Sequence, residues 1–155
     1  MMYFKLGQDR RIPNAVLLTN LNSIEGYYEY KRGNVKLLED SFVSMVSPGQ
    51  LHFYPDILDR QVFMVKGPVK DVFDIFLPDV EYKHCCFIDA PNRAYVQYYV
   101  PILDAADFRT GIDSGHFVFR NLDSSDIEVV VSLEVIEAVL RRKPAGCRVI
   151  QTSCT

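Results

Sequence analysis

Two stretches of this chain, sixty-six positions apart, follow one pattern. Val62 to Phe76 reads VFMVKGPVKDVFDIF and Glu128 to Arg142 reads EVVVSLEVIEAVLRR. Each has a short apolar run, a helix-start signal, and then apolar residues at helical spacing. Proline cuts each helix, at Pro78 and Pro144, and an apolar or alternating stretch follows, Val80 to Ile88 and Cys147 to Gln151. The repeat predicts strand, helix, strand in each unit. The predicted fold is α+β: a mixed, largely antiparallel sheet covered by two short helices. In the first helix Gly67 stands at the N-cap and Pro68 where a missing amide hydrogen costs nothing. Val69, Val72, Phe73 and Phe76 then make one apolar face. In the second, Ser132 is the natural N-cap and Val135, Ile136, Val139 and Leu140 form the face. Arg141, Arg142 and Lys143 sit at the negative end of that helix, where its dipole accounts for them without a phosphate ligand.

Outside the repeat, Tyr3 to Leu6 reads as a strand and Val16 to Leu21 as a strand or buried extended segment. Asn22 to Asn34 carries Tyr27, Tyr28 and Tyr30 among Glu, Lys, Arg and Gly, which suits an exposed contact surface or irregular edge strand, or else an edge hairpin that packs one or two of the tyrosines. Val35 to Val46 fits a helix and a strand equally, and Gln50 to Tyr54 reads as a short aromatic strand. Between the repeats, His84 to Asp89 and Ala94 to Ile102 flank a turn as a hairpin. Alternation places Tyr95, Gln97 and Tyr99 on one face of its second strand and Val96, Tyr98 and Val100 on the other. Leu103 to Gly115 is polar and turn-rich and reads as a mobile loop before a last strand, His116 to Arg120.

The 155 residues, 48% of them apolar and 24% charged, suit one compact domain spanning 1–155. A core of that size needs no metal or disulfide staple. A net charge of −3 with scattered Lys and Arg gives no positive stripe, so nucleic acid is not the expected partner. No apolar run approaches the roughly 18 residues of a membrane span, and the start lacks the long apolar segment of a secretory signal. A cytoplasmic protein is expected. The cysteines, Cys85, Cys86, Cys147 and Cys154, lack zinc-site spacing and read as reduced thiols.

Catalytic signatures are sparse. His52, His84 and His116 all fall in predicted strands without a His-Glu-x-x-His or Cys-x-x-Cys neighbour. The chain has no Gly-rich phosphate loop after a strand and no Gly-x-Ser-x-Gly elbow. The acidic pairs Glu39 with Asp40 and Asp56 with Asp59 lie beside turns, where such residues are common. No cofactor or metal is expected. One chemical alternative stays open: a small hydrolase or thiol-dependent enzyme using Cys85 or Cys86 with a nearby histidine.

Three stretches together resemble a bacterial family of unknown function. They are FKLGQDRRIPNAV, then VFMVKGPVKDVFDIFLPDVEY running into FIDAPNRAYVQYYVPIL, and finally HFVFRN with IEVVVSLEVIEAVLRRKPAGCRV. That family has been proposed to include immunity proteins of polymorphic-toxin systems, the group named after a Myxococcus immunity protein. The resemblance covers most of the chain and is strongest from Gln61 onward. Between Asn22 and Pro55 it is weakest, and the chain is shorter there than the family. It implies a non-catalytic protein that binds and occludes a toxin, and it supplies no catalytic residue to carry over. On that reading Tyr27, Tyr28 and Tyr30 are the first expected partner-binding residues, with Tyr95 and Tyr99 second. A homodimeric scaffold that pairs sheet edges is the third alternative.

Overall fold

The computed structural model describes residues 2–152. In chain order its elements are β1 (Tyr3–Gln8), α1 (Tyr27–Lys31), β2 (Ser41–Met45), β3 (Ile57–Leu58), β4 (Met64–Val65), α2 (Gly67–Phe76) and β5 (Tyr82–Asp89). There follow β6 (Ala94–Pro101), β7 (Ala105–Ala106), α3 (Phe108–Asp113), β8 (Val118–Asn121), β9 (Val129–Ser132), α4 (Leu133–Arg141) and β10 (Cys147–Gln151). The class is α+β, but the strands divide between two five-stranded sheets where the sequence suggested one. The first sheet runs β10-β1-β9-β8-β7 and the second β2-β5-β6-β4-β3.

The repeat read from the sequence is β4-α2-β5 and β9-α4-β10. In each unit the two strands run parallel because both pair antiparallel with a third strand lying between them. That strand is β6 in the first unit and β1 in the second. A further antiparallel strand flanks each unit, β3 beside β4 and β8 beside β9. The plans match in space and differ in connection: β6 follows β5 through a hairpin, whereas β1 precedes its unit by more than a hundred residues. The second unit is thus a circular permutation of the first. Only β2 and β7 lack a counterpart, and each pairs parallel with its neighbour.

Helices α2 and α4 lie against each other between the sheets. Val69, Val72 and Phe73 of one and Val135, Ile136 and Val139 of the other share a core with Leu6, Val65, Val129 and Val131. Phe63 stacks on Phe73 with the rings 11° from parallel. Phe76 is only half-buried, against Phe117. Leu140, expected in the core, is exposed. It lies in the last turn of α4, whose buried residues are Val135, Ile136 and Val139. Lys66 is the N-cap of α2, so Gly67 and Pro68 open the helix itself. Ser132 is the N-cap of α4, although its hydroxyl caps nothing.

The segment before β2 folds differently from its sequence reading. Tyr27 and Tyr30 sit three apart on α1, which puts both on one face, and both are buried. They join Val16, Leu38, Phe42, Cys85, Phe87 and Tyr98 in a core on the outer face of the second sheet. No hairpin forms. Gly26 enters α1 at φ +82°, and a Cβ there would run into the Leu37 carbonyl. The Tyr30 hydroxyl accepts the Phe63 N–H at 2.7 Å. Over its ring, 4.9 Å from the centroid, lies the Arg120 guanidinium, which also donates to the Tyr30 carbonyl at 2.9 Å. Val35 to Val46 resolves into a single 3₁₀ turn and then β2. Of the strand expected over Gln50 to Tyr54, only Phe53 makes a bridge, to Ala15.

The stretch expected as a mobile loop carries β7 and α3. Asp107 caps that helix, its carboxylate accepting the Thr110 N–H at 2.8 Å. Asp59 ties the sheets together. Its carboxylate accepts the Gln8 N–H at 3.0 Å and two Arg10 guanidinium bonds at 3.1 and 2.7 Å, while the Asp59 N–H donates back to the Gln8 side chain at 3.2 Å. Among the described residues no helix is long and apolar enough to cross a membrane.

Candidate partner-binding surface

A strand alternates its side chains, so each sheet has two faces to cover. On the second sheet Phe42, Cys85, Phe87, Tyr98 and Val100 point to the core roofed by α1. The opposite face is covered by α2 only in part. Lys70 of α2 lies 4.8 Å from the ring of Tyr82 and 5.0 Å from that of Tyr99. Asp74, one turn later, holds Lys70 at 2.8 Å and accepts the Tyr82 hydroxyl at 2.7 Å. That cluster is where the helix cover ends.

Beyond it three rungs cross β2, β5 and β6 in register: Ser41–His84–Tyr99, Val43–Cys86–Gln97 and Met45–Ile88–Tyr95. Val43 is 49% exposed, Met45 52% and Tyr95 73%, while Cys86, Ile88 and Gln97 are half-buried. His84 is exposed at the covered end, its ring packed edge-on against Tyr99. The result is an apolar, aromatic-tipped patch on a rigid sheet, with polar groups at its margin. Such a patch, contiguous and rimmed by polar side chains, marks an interaction site more often than scattered apolar exposure does.

The expected site residues therefore separate. Tyr95 stands on the open face and Tyr99 at its covered margin. Tyr28 is exposed on α1, its hydroxyl donating to Asn22 at 2.9 Å. Tyr27 and Tyr30 are core residues, which corrects the reading of that segment as an exposed patch; their helical spacing was the available signal. Val43, Met45 and Ile88 were missed, because the face of β2 was ambiguous until its pairing with β5 was known.

The thiol alternative lacks geometry. Cys85 is fully buried in the outer core, facing away from His84, and burial pushes its thiol up to about 12 from an ordinary value near 9. A thiolate is the reactive species, so this cysteine is inert at neutral pH. Burial likewise pushes Cys147 up to about 12. The Cys86 sulfur points to the Phe87 carbonyl rather than to a histidine. Cys85, Cys86 and Cys147 are free thiols; Cys154 lies outside the described residues. The histidines are dispersed: His52 contacts the Ser47 carbonyl, and His116, just before β8, sits 3.3 Å from Asp104. Asp56 and Asp59 are structural, Asp56 accepting the Ala145 N–H at 2.8 Å. Among the described residues no three His, Cys, Asp or Glu side chains are grouped as metal ligands.

No family model matches the chain, and no curated protein matches it.

Proposed function

We propose that this chain is a protein-binding domain that recognises and neutralises a cognate toxin in the cytoplasm of the producing cell, in the manner of an immunity protein. The half-uncovered face of the second sheet is the observation that carries this reading. Occlusion of a toxin needs a stiff scaffold and a complementary patch. Here a three-stranded surface presents Val43, Met45 and Tyr95 to solvent around half-buried Ile88, with a polar margin to set orientation. A few residues, Tyr prominent among them, supply most of the affinity of protein interfaces, and Met is enriched there.

The test is a pull-down from a lysate of the source organism, with mass spectrometry, using wild type and a Met45→Ser, Tyr95→Ala double variant as baits. Both altered side chains are more than half exposed, so the variant keeps its melting temperature. Stoichiometric recovery of one large protein with a C-terminal toxin-like module by wild type, and its loss with the variant, supports the reading. Equal recovery by both baits removes this face from the interaction.

A further inference from the structure

We infer that the outer edge of β10 is a docking slot for an extended segment of a partner chain, which adds as a parallel strand. The internal repeat is the reason. Strand β5 closes the first strand–helix–strand unit as β10 closes the second, and β5 carries β2 along its outer edge. There the His84 N–H donates to the Asp40 carbonyl and the Ile88 carbonyl accepts the Val46 N–H, both at 2.9 Å. In β10 the bonds to β1 are made by alternate residues, framed by Thr152 N–H to the Tyr3 carbonyl at 3.0 Å and Asp9 N–H to the Gly146 carbonyl at 2.8 Å. The N–H and C=O groups of Cys147, Val149 and Gln151 therefore face outward. Among the described residues no hydrogen bond reaches them.

The other long edge strand is protected. On β2 the Thr19 hydroxyl donates to the Met45 carbonyl at 2.9 Å and the Asn20 amide to the Val43 carbonyl at 3.0 Å. Strands β3 and β7, at the remaining two edges, have two residues each. β10 is five residues long, has no proline and carries one charge, Arg148. The occupant its repeat partner indicates is a segment like β2: extended, parallel, with serines set among apolar side chains. Main-chain bonds then give affinity, and the exposed side chains of Arg148 and Ile150 favour a carboxylate and an apolar residue beside them. Such capture presupposes a partner-binding role, yet it is measurable without the partner, so a failure at this edge and a failure to recover a partner are distinct results.

The probe is a capped synthetic peptide, DSFVSMV, the sequence of residues 40–46. Titrated into isotope-labelled protein, it is expected to shift the amides of Cys147, Val149 and Gln151 and slow their hydrogen exchange. A spin label at its N-terminus broadens Cys147 before Gln151, as a parallel strand requires. Gln151→Pro deletes an outward amide that the fold does not use and weakens binding about tenfold or more. Should that variant fold poorly, placing proline at the Ser44 position of the peptide gives the same loss with the protein unchanged. Absence of shifts in β10 at about 1 mM peptide, shifts in β5 instead, or binding that survives both prolines overturns the proposal. So does a sedimentation dimer that buries the same amides against a second copy.

Discussion

Replacing Tyr30 by Phe isolates one hydroxyl. In the fold that oxygen accepts the Phe63 N–H at 2.7 Å, and both residues are buried. Phenylalanine keeps the ring beneath Arg120 and strands the amide. An unsatisfied buried N–H costs about 1–3 kcal/mol, so Tyr30→Phe should lower stability by that amount. Tyr30→Ala also removes the ring from the outer core, and the cost rises to about 3–5 kcal/mol. The control is Tyr28→Ala, two residues earlier and 62% exposed, with a change within about 1 kcal/mol. Urea titration with linear extrapolation resolves these classes, and thermal scans should move by about 2–4 °C per kcal/mol for a chain of this size. If Tyr30→Phe unfolds at the wild-type midpoint, or Tyr28→Ala and Tyr30→Ala shift equally, the placement of Tyr30 is wrong.

Phe73→Ala should cost about 3–5 kcal/mol in urea melts, since Phe73 is fully buried in the core of α2 and α4, whereas Leu140→Ala, at an exposed position of α4, should cost under about 1; equal costs would contradict the helix orientation. Asp59→Ala leaves the Gln8 N–H without its acceptor, and because Arg10 is partly exposed and turns to water, the expected loss is about 1–3 kcal/mol, read by the same melts. Stability should fall in alkali. Burial holds Tyr30 at about 12 against an ordinary 10, and Cys85 at about 12 against 9. Below those ordinary values both states are neutral. As pH rises past 9 and then 10 the unfolded chain ionises first, and each group removes up to about 1.4 kcal/mol per pH unit until the folded form ionises too. A melting temperature flat from pH 8 to 11 would contradict their burial.

The repeat was legible because it is periodic. Helical spacing from Val69 to Phe76 and from Val135 to Val139 identifies faces without knowledge of what they touch. The hairpin of β5 and β6 was legible for the same reason, with period two instead of three and four. What the sequence left hidden depends on pairing. Strand β1 carries no signal that its neighbours are β9 and β10, so two sheets read as one. Tyr27 and Tyr30 were misplaced because mixed tyrosines and charges look alike on a helix with one buried face and on an exposed hairpin, and only the three-residue spacing separates the cases. The open face is visible only once β2 is known to run beside β5. Val43 and Met45 alternate with Phe42 and Ser44, and nothing local says which pair is covered.

The placement of β1 also governs when the fold can close. Its six residues lie between β9 and β10, and Thr152 reaches Tyr3 across 149 positions. The first unit can form as soon as β6 is made, from contacts local to the chain. The second has its helix and both outer strands in sequence but waits for a centre strand synthesised long before. Only β1 joins β9 to β10, so without it the edges of both strands that face it stay unpaired. Long-range closure of this kind is slow compared with hairpin formation. The two copies of one plan should therefore mature on different clocks, with the permuted copy closing the more slowly.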